Sequence, residues 1–210
     1  MDRRVIGFFL VLLLLGAGAG YAWGALTPEQ PLEFEGARPL PAASPSFPFE
    51  TEAPYAQDVD FPSLAPDLTY VRNRLGEDPF AYTYRRPKGW SSSGIGAGEV
   101  TFSPPDGIEG GYGMRVKLVN ARMTPEEMVA QKLAALQSTE DDVQIVGRSS
   151  DTLAITYRSS ANRLRYNTFR WFTDTGGGFA TFETSVYGRA QDVPGLTDLL
   201  DQVSASIRRS

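Results

Sequence analysis

The residue types that most often carry chemistry at neutral pH are missing from this chain of 210 residues. It contains no histidine and no cysteine. Histidine is the usual general base near pH 7 and a common zinc ligand, and cysteine supplies thiolates, disulfides and lipid attachment. An enzyme built from this chain would need a carboxylate, lysine or tyrosine as its acid–base group. We therefore expect a non-enzymatic protein with no metal and no cofactor.

Arginine and aromatic residues remain as candidates for a ligand site. Arg163 and Arg165 share one face of a predicted strand and suit an anionic headgroup or a glycan phosphate. Charges that keep an edge strand soluble fit the same pattern. Trp90, Tyr82 and Trp171 suit an aromatic-lined cleft for a sugar or lipid, although core packing would also use them. These five residues are our predicted ligand-binding set.

Two short segments only partly match known ligand motifs. Gly94–Gly98 lacks the GK[ST] ending of a phosphate loop and precedes a strand, so we expect a flexible loop. Glu140–Asp142 lacks the spacing of a calcium loop and is expected to be a solvated turn. The net charge of −5 gives no indication of a nucleic-acid partner.

An uncharged apolar segment follows Arg3 and Arg4 near the N-terminus. Its length matches the roughly 20 residues that a helix needs to cross the hydrocarbon core of a membrane. The positive-inside rule places residues 1–4 in the cytoplasm. We predict a single transmembrane anchor at residues 5–25 in the plasma membrane, with the rest of the chain extracytoplasmic. A cleaved signal peptide, which would give a secreted protein, fits the same segment.

The anchor and the segment after it indicate possible partners. Gly16, Gly18 and Gly20 form a small-residue stretch on which another membrane helix can pack closely. A membrane protein could therefore be recruited through the anchor or the linker. The domain itself could bind an envelope lipid or glycan.

Residues 26–78 are predicted to form a proline-rich, acidic linker. Nine prolines lie between positions 28 and 66, and residues 25–66 carry seven acidic residues and one basic residue. Proline fixes the backbone and donates no hydrogen bond, which excludes a regular helix over most of this segment. The linker is either a disordered stalk or a segment that docks on a partner or on the domain. Residues 67–78 could form one or two helical turns.

From residue 79 to residue 210 the pattern predicts a folded domain in the order β-β-β-α-β-β-β-β-α. Short connections between neighbouring strands require antiparallel pairing. A mostly antiparallel sheet of about seven strands covered by two helices gives an α+β fold. The predicted strands are Phe80–Tyr84, Glu99–Ser103, Gly113–Asn120, Val143–Ser149, Thr152–Ser159, Arg163–Thr173 and Phe179–Tyr187.

Both predicted helices have clear sequence signals. Thr124 can cap the first helix, Pro125 fits its first position, and Glu127 completes a capping box. This helix is expected to end near Ser138. The second covers Asp192–Ser210, where apolar residues recur at helical spacing along one face.

Three segments resemble the family of the photosystem protein PsbP, the Ran-binding Mog proteins and the actinobacterial LpqN-type lipoproteins. They are Arg86–Trp90 at a strand end, the helix start at Thr124–Glu127, and Ser185–Arg189 before the leucine-rich last helix. The resemblance covers about residues 79–208. It implies an α/β/α sandwich and a non-enzymatic extracytoplasmic binding or accessory domain of an actinobacterial envelope protein. The chain differs from LpqN-type lipoproteins because it lacks the cysteine that would carry a lipid.

Overall fold

The structure is a computed structural model that describes residues 54–58, 60–96, 98–107, 111–174 and 178–210. The predicted cytoplasmic tail, the anchor and the membrane-packing residues Gly16, Gly18 and Gly20 lie outside these residues. So does the linker up to residue 53. Within the described ranges, none of the helices is long and apolar enough to cross a membrane.

The described part of the chain has an α+β fold with two α-helices and a seven-stranded antiparallel sheet, as predicted from the sequence. It also has a second, three-stranded antiparallel sheet, which was not predicted. Its strands are β1 (Tyr70–Leu75), β2 (Tyr82–Pro87), β3 (Ser91–Gly96), β4 (Glu99–Ser103), β5 (Gly113–Leu118), β6 (Asp141–Arg148), β7 (Thr152–Arg158), β8 (Leu164–Thr173), β9 (Ala180–Gly188) and β10 (Arg208–Arg209). The larger sheet has the order β3-β4-β5-β9-β8-β7-β6. The smaller sheet has the order β1-β2-β10.

Helix α1 (Pro125–Thr139) covers one side of the larger sheet and packs against β6, β7 and β8. Its N-terminus has the predicted capping box: the Thr124 side chain accepts from the Glu127 N–H, and the Glu127 side chain accepts from the Thr124 N–H. Val129 is fully buried in a core cluster with Phe169 and Trp171 of β8. The capping box therefore starts the helix where its apolar residues meet the sheet.

The second helix covers the opposite side of the larger sheet. A 3-10 turn at Ala190–Asp192 leads into α2 (Val193–Ser204), which packs against β9 and β2. The side chains of β8 point alternately to the two sides of the sheet and so contribute to both core clusters. Phe169 and Trp171 pack in the cluster with α1, and Phe172 packs in the cluster with α2. The small sheet lies on the α2 side, where Tyr82 and Tyr84 join that second cluster.

Residues 54–58 and 60–66, which we call the strap, lie against the folded domain. Leu64 is only 4% exposed and belongs to the core cluster around α2. Gly195 leaves the space that the strap backbone needs, because a Cβ at this position would overlap the Leu64 carbonyl. The linker was expected to be either a disordered stalk or a docked segment. The strap, which is its described part, docks on the domain.

A fully buried ion pair fixes the C-terminal half of the strap. Arg189 Nε lies 2.8 Å from the carboxylate of Asp192, and both side chains are inaccessible to solvent. The two Nη atoms of Arg189 donate to the carbonyls of Phe61 (2.8 Å) and Pro62 (2.9 Å). Asp192 accepts from the Leu64 N–H at 3.0 Å. Each charge is thus paired and hydrogen-bonded, as a buried ion pair requires.

Four local predictions are wrong. Asp141 and Asp142 begin strand β6, where a solvated turn at Glu140–Asp142 was expected, because Asp141 pairs with Arg158 of β7. Residues 70–75 form strand β1, where helical turns were considered, because they pair along their length with β2. Gly94–Gly96 belong to strand β3 and pair with β4, where a loop was expected. The last helix ends at Ser204 and does not reach Ser210, since the chain turns and adds β10 to the small sheet.

Candidate functional site

A polar groove of about 270 Å³ lies where the small sheet meets the end of α2. Three arginines line it, one from each strand of the small sheet: Arg72, Arg85 and Arg208. We call this cavity the arginine groove. Its other lining residues are Thr83, Tyr84, Gln202, Ala205 and Ser206.

The strand register explains why the three arginines lie together. Arg72 of β1 is directly opposite Arg85 of β2, and Arg208 of β10 is directly opposite Thr83 of β2. Tyr84, which alternates with Thr83 and Arg85 along β2, points into the core. Successive side chains of a strand point to opposite faces, so the arginines share the outward face. Each of the three is exposed.

In the part of the chain that the structure describes, no carboxylate forms an ion pair with Arg72, Arg85 or Arg208. Neighbouring arginines differ in this respect. Arg74, on the same outward face, lies 2.6 Å from Asp78, and Arg209 pairs with Asp174. Like charges directly opposite each other on a sheet are unfavourable. The arrangement therefore leaves positive charge available for an anion.

The other lining residues of the groove are uncharged. The Ser206 hydroxyl oxygen accepts from the backbone N–H of Arg85 at 2.8 Å. This hydrogen bond holds the segment that follows α2 against β2. Burial raises the pKa of Tyr84 to about 12, although a hydrogen bond from Asn73 opposes this effect, so the phenol stays protonated at neutral pH. The carbonyls in the last turn of α2 already accept backbone hydrogen bonds. The Ala205 N–H donates to the Asp201 carbonyl, and the Ser206 N–H donates to the Val203 carbonyl.

Chemically, this arrangement suits binding of an anion. Guanidinium groups present planar forks of N–H donors that match carboxylate and phosphate oxygens, often with two hydrogen bonds each. Arginine stays protonated in proteins and cannot act as a base at neutral pH. The groove thus offers recognition of charge and shape.

The five ligand-binding residues predicted from the sequence do not converge on one cavity of the described structure. Trp90 and Tyr82 are 7% exposed and pack in the core around α2. Trp171 is 1% exposed on the α1 side, where its indole N–H donates to the buried Glu183 at 2.9 Å. These three aromatic side chains pack in the core.

The strap contacts one member of the predicted arginine pair, Arg165. Arg165 Nη1 lies 2.6 Å from the Asp58 carboxylate, and the side chain is 9% exposed. Arg163 precedes β8 and is half-buried, and its Nε has no hydrogen-bond partner among the described residues. Nearby, Tyr55 donates to Asp142 and lies under the guanidinium of Arg158. An acidic residue of the linker thus occupies the position where an external anion was expected at Arg165.

A second, smaller cavity of about 130 Å³ lies between the two sheets. Arg209 borders it, and the guanidinium lies 5.8 Å from the ring centroid of Phe80, which is 67% exposed. Arg208 and Arg209 therefore face different cavities, as expected for adjacent strand residues. The other lining residues are Tyr82, Leu118, Val119, Asn120, Asp174 and Thr181.

The described ranges contain no group of three or more histidine, cysteine, aspartate or glutamate residues placed to hold a metal ion. Asp142, part of the acidic turn considered in the sequence, instead contacts Tyr55 and lies 3.7 Å from Arg158. The hydrogen bond from Tyr55 is the main cause that lowers the pKa of Asp142.

Sequence reasoning missed Arg72, Arg85 and Arg208. A usable signal was present in Tyr70–Leu75, where Arg72 and Arg74 alternate with less polar residues at strand spacing. Arg208 was assigned to a helix end, so its place on a sheet edge was not expected.

Comparison with known proteins does not show a family for this chain. No family model matches the chain, and no curated protein matches it significantly. Among solved structures, the chain is similar to a Bacteroides thetaiotaomicron protein whose crystal structure was determined at 1.50 Å, with 13% identity and a TM-score of 0.37. The match covers 61% of this chain and 45% of that protein, so the chain spans less than half of its length. A likeness this distant supports no conclusion on function.

Proposed function

We propose that this chain is a membrane-tethered, extracytoplasmic binding protein whose domain holds an anionic group of a cell-envelope component in the arginine groove. Arg72, Arg85 and Arg208 are the residues that bind the anion. The single observation that carries the proposal is the convergence of these three arginines on one cavity without a carboxylate partner in the described part of the chain.

Several features support binding as the function, with no catalysis. The chain has no histidine or cysteine. The groove residues are arginines and uncharged side chains, which suit anion binding but do not transfer protons at neutral pH. The proposal keeps the α/β/α sandwich of the PsbP and LpqN resemblance as its fold family, since α1 and α2 lie on opposite sides of the larger sheet.

The location rests on the sequence. Two arginines followed by an uncharged apolar segment support a cytoplasmic N-terminus and an outer domain. Assembly with a membrane protein through Gly16, Gly18 and Gly20 stays a prediction. Protease added to intact spheroplasts tests the topology, because an outer domain is cut under these conditions and a cytoplasmic domain is cut only after lysis.

Anion binding is tested with the full-length protein in nanodiscs of zwitterionic lipid. Calorimetric titration with diphosphate is expected to show one saturable site. Arg85→Gln and Arg208→Gln should each weaken binding about tenfold or more, because a hydrogen bond to a charged group contributes ~1.5–3 kcal/mol and tenfold corresponds to ~1.4 kcal/mol.

Arg74→Gln is the matched control. Arg74 lies on the same outward face but pairs with Asp78 and does not line the groove. Its substitution should leave the dissociation constant unchanged within about twofold. Absence of saturable binding, or equal losses in Arg74→Gln and Arg85→Gln, would contradict the proposed function.

A further inference from the structure

We propose that the anion recognised by the arginine groove is a phosphate dianion, as found in a terminal phosphate monoester, and not a singly charged phosphodiester or carboxylate. This inference rests on the proposed function and specifies its ligand class. The discriminating property is the second negative charge.

The charge balance of the groove favours a dianion. Three guanidinium groups line it, and Arg72 and Arg85 are directly opposed across β1 and β2. A monoanion would compensate one of the three charges, whereas a dianion compensates two and can interact with more than one fork. A phosphate monoester has three terminal oxygens available for such contacts, and a diester has two.

The neutral lining residues suit the same group. Gln202 and Thr83 add uncharged hydrogen-bonding groups around the arginines. The volume of about 270 Å³ is below the usual range of ~300–1,000 Å³ for pockets that enclose drug-sized ligands. The groove is therefore expected to hold a compact headgroup and not a whole extended ligand.

The titratable groups around the groove can be named for each element. Strand β1 contributes Arg72, with Arg74 and Asp78 paired beside it; β2 contributes Tyr84 and Arg85. Strand β10 contributes Arg208. From α2, Asp201 lies 2.9 Å from Arg170, and Asp198 accepts from the Asp67 N–H at 3.2 Å.

None of these residue types ordinarily titrates between pH 5 and pH 8, and the chain has no histidine or cysteine that would. The second pKa of a phosphate monoester, in contrast, lies near ~6. Any change in affinity across this range should therefore report the charge of the ligand and not of the protein. This gives a direct way to count the charges that the groove recognises.

The experiment titrates the full-length protein in an uncharged detergent with three small anions at pH 5 to 8 and constant ionic strength. Methyl phosphate should bind about tenfold more tightly at pH 8 than at pH 5, with a midpoint near ~6. Sulfate, which stays dianionic, should bind with constant affinity. Dimethyl phosphate, which stays monoanionic, should bind weakly at every pH.

Two further arms identify the source of the phosphate. Glycerol 3-phosphate represents a free phosphate ester, and dihexanoyl phosphatidic acid represents a lipid one. Tighter binding of either, relative to dimethyl phosphate at pH 8, supports the dianion. The tighter of the two identifies the source.

The outcomes separate this inference from the proposed function. If anions bind at the groove but dimethyl phosphate matches methyl phosphate at pH 8, the dianion inference is wrong and the binding function stands. The same holds if sulfate binding changes with pH as methyl phosphate binding does. If no anion binds, or if Arg85→Gln has no effect, both are wrong. A thermal melt of each variant checks that the exposed substitutions leave the fold intact.

Discussion

Truncation of Leu64 tests whether the strap is an integral part of the domain. This side chain is 4% exposed in the core cluster with Leu196 and Leu199 of α2, although it belongs to a proline-rich segment. Leu64→Ala removes buried apolar contacts and leaves a cavity, which costs ~2–5 kcal/mol for a buried leucine. The backbone hydrogen bond from Leu64 to Asp192 can still form, so the expected loss comes from packing.

For a domain of this size, 1 kcal/mol shifts the melting temperature by roughly 2–4 °C. A loss of about 3 kcal/mol should therefore lower it by roughly 6–12 °C. Differential scanning calorimetry of the full-length protein in detergent measures the shift. Hydrogen exchange of the strap amides reports the same loss locally.

Ser63→Ala is the matched control, since Ser63 is the exposed neighbour of Leu64 in the strap. Surface substitutions of this kind usually change stability by no more than about 0.5 kcal/mol. If Leu64→Ala behaves like Ser63→Ala in both assays, the strap contributes no stability and the reasoning is refuted.

Three other outcomes follow from the structure. Thr124→Ala removes the N-cap of α1 and should cost about 1 kcal/mol in chemical denaturation; an unchanged midpoint would contradict the role of the capping box. Burial alone would raise the pKa of Asp192, but hydrogen bonds from Arg189 and Leu64 outweigh it and lower that pKa. The stability from Asp192 is then present above the ordinary carboxylate pKa of ~4 and is lost as the pH falls further, so Asp192→Asn should flatten the acid side of the stability profile. Burial raises the pKa of Tyr84 to about 12, so its contribution is present below pH ~10 and is lost as the pH rises towards 12; Tyr84→Phe should reduce this alkaline loss in melts between these pH values.

The sequence predicted the helices and strands whose signals lie within a few residues of one another. The capping box at Thr124 located α1, and the apolar spacing of Leu196, Leu199 and Leu200 located α2. Short turns between β6, β7, β8 and β9 fixed their antiparallel order. These features depend on residues that are close together in the sequence, so they could be predicted without the structure.

The remaining features depend on contacts between distant residues. Strand β3 has the sequence SSSGIG, with little intrinsic strand preference, and forms by pairing with β4. The strap docks through hydrogen bonds with Arg189 and Asp192, which lie more than 120 residues further along the chain. The arginine groove combines β1, β2 and the segment after α2, so no single stretch of sequence contains it.

The central claim is that Arg72, Arg85 and Arg208 hold an anion. The most direct test is a crystal structure of the protein with selenate, whose selenium atom is located by its anomalous scattering. The account predicts the strongest selenium peak in the arginine groove, within hydrogen-bonding distance of at least two of the three guanidinium groups. Selenate bound elsewhere, with the groove occupied by water alone, would contradict it.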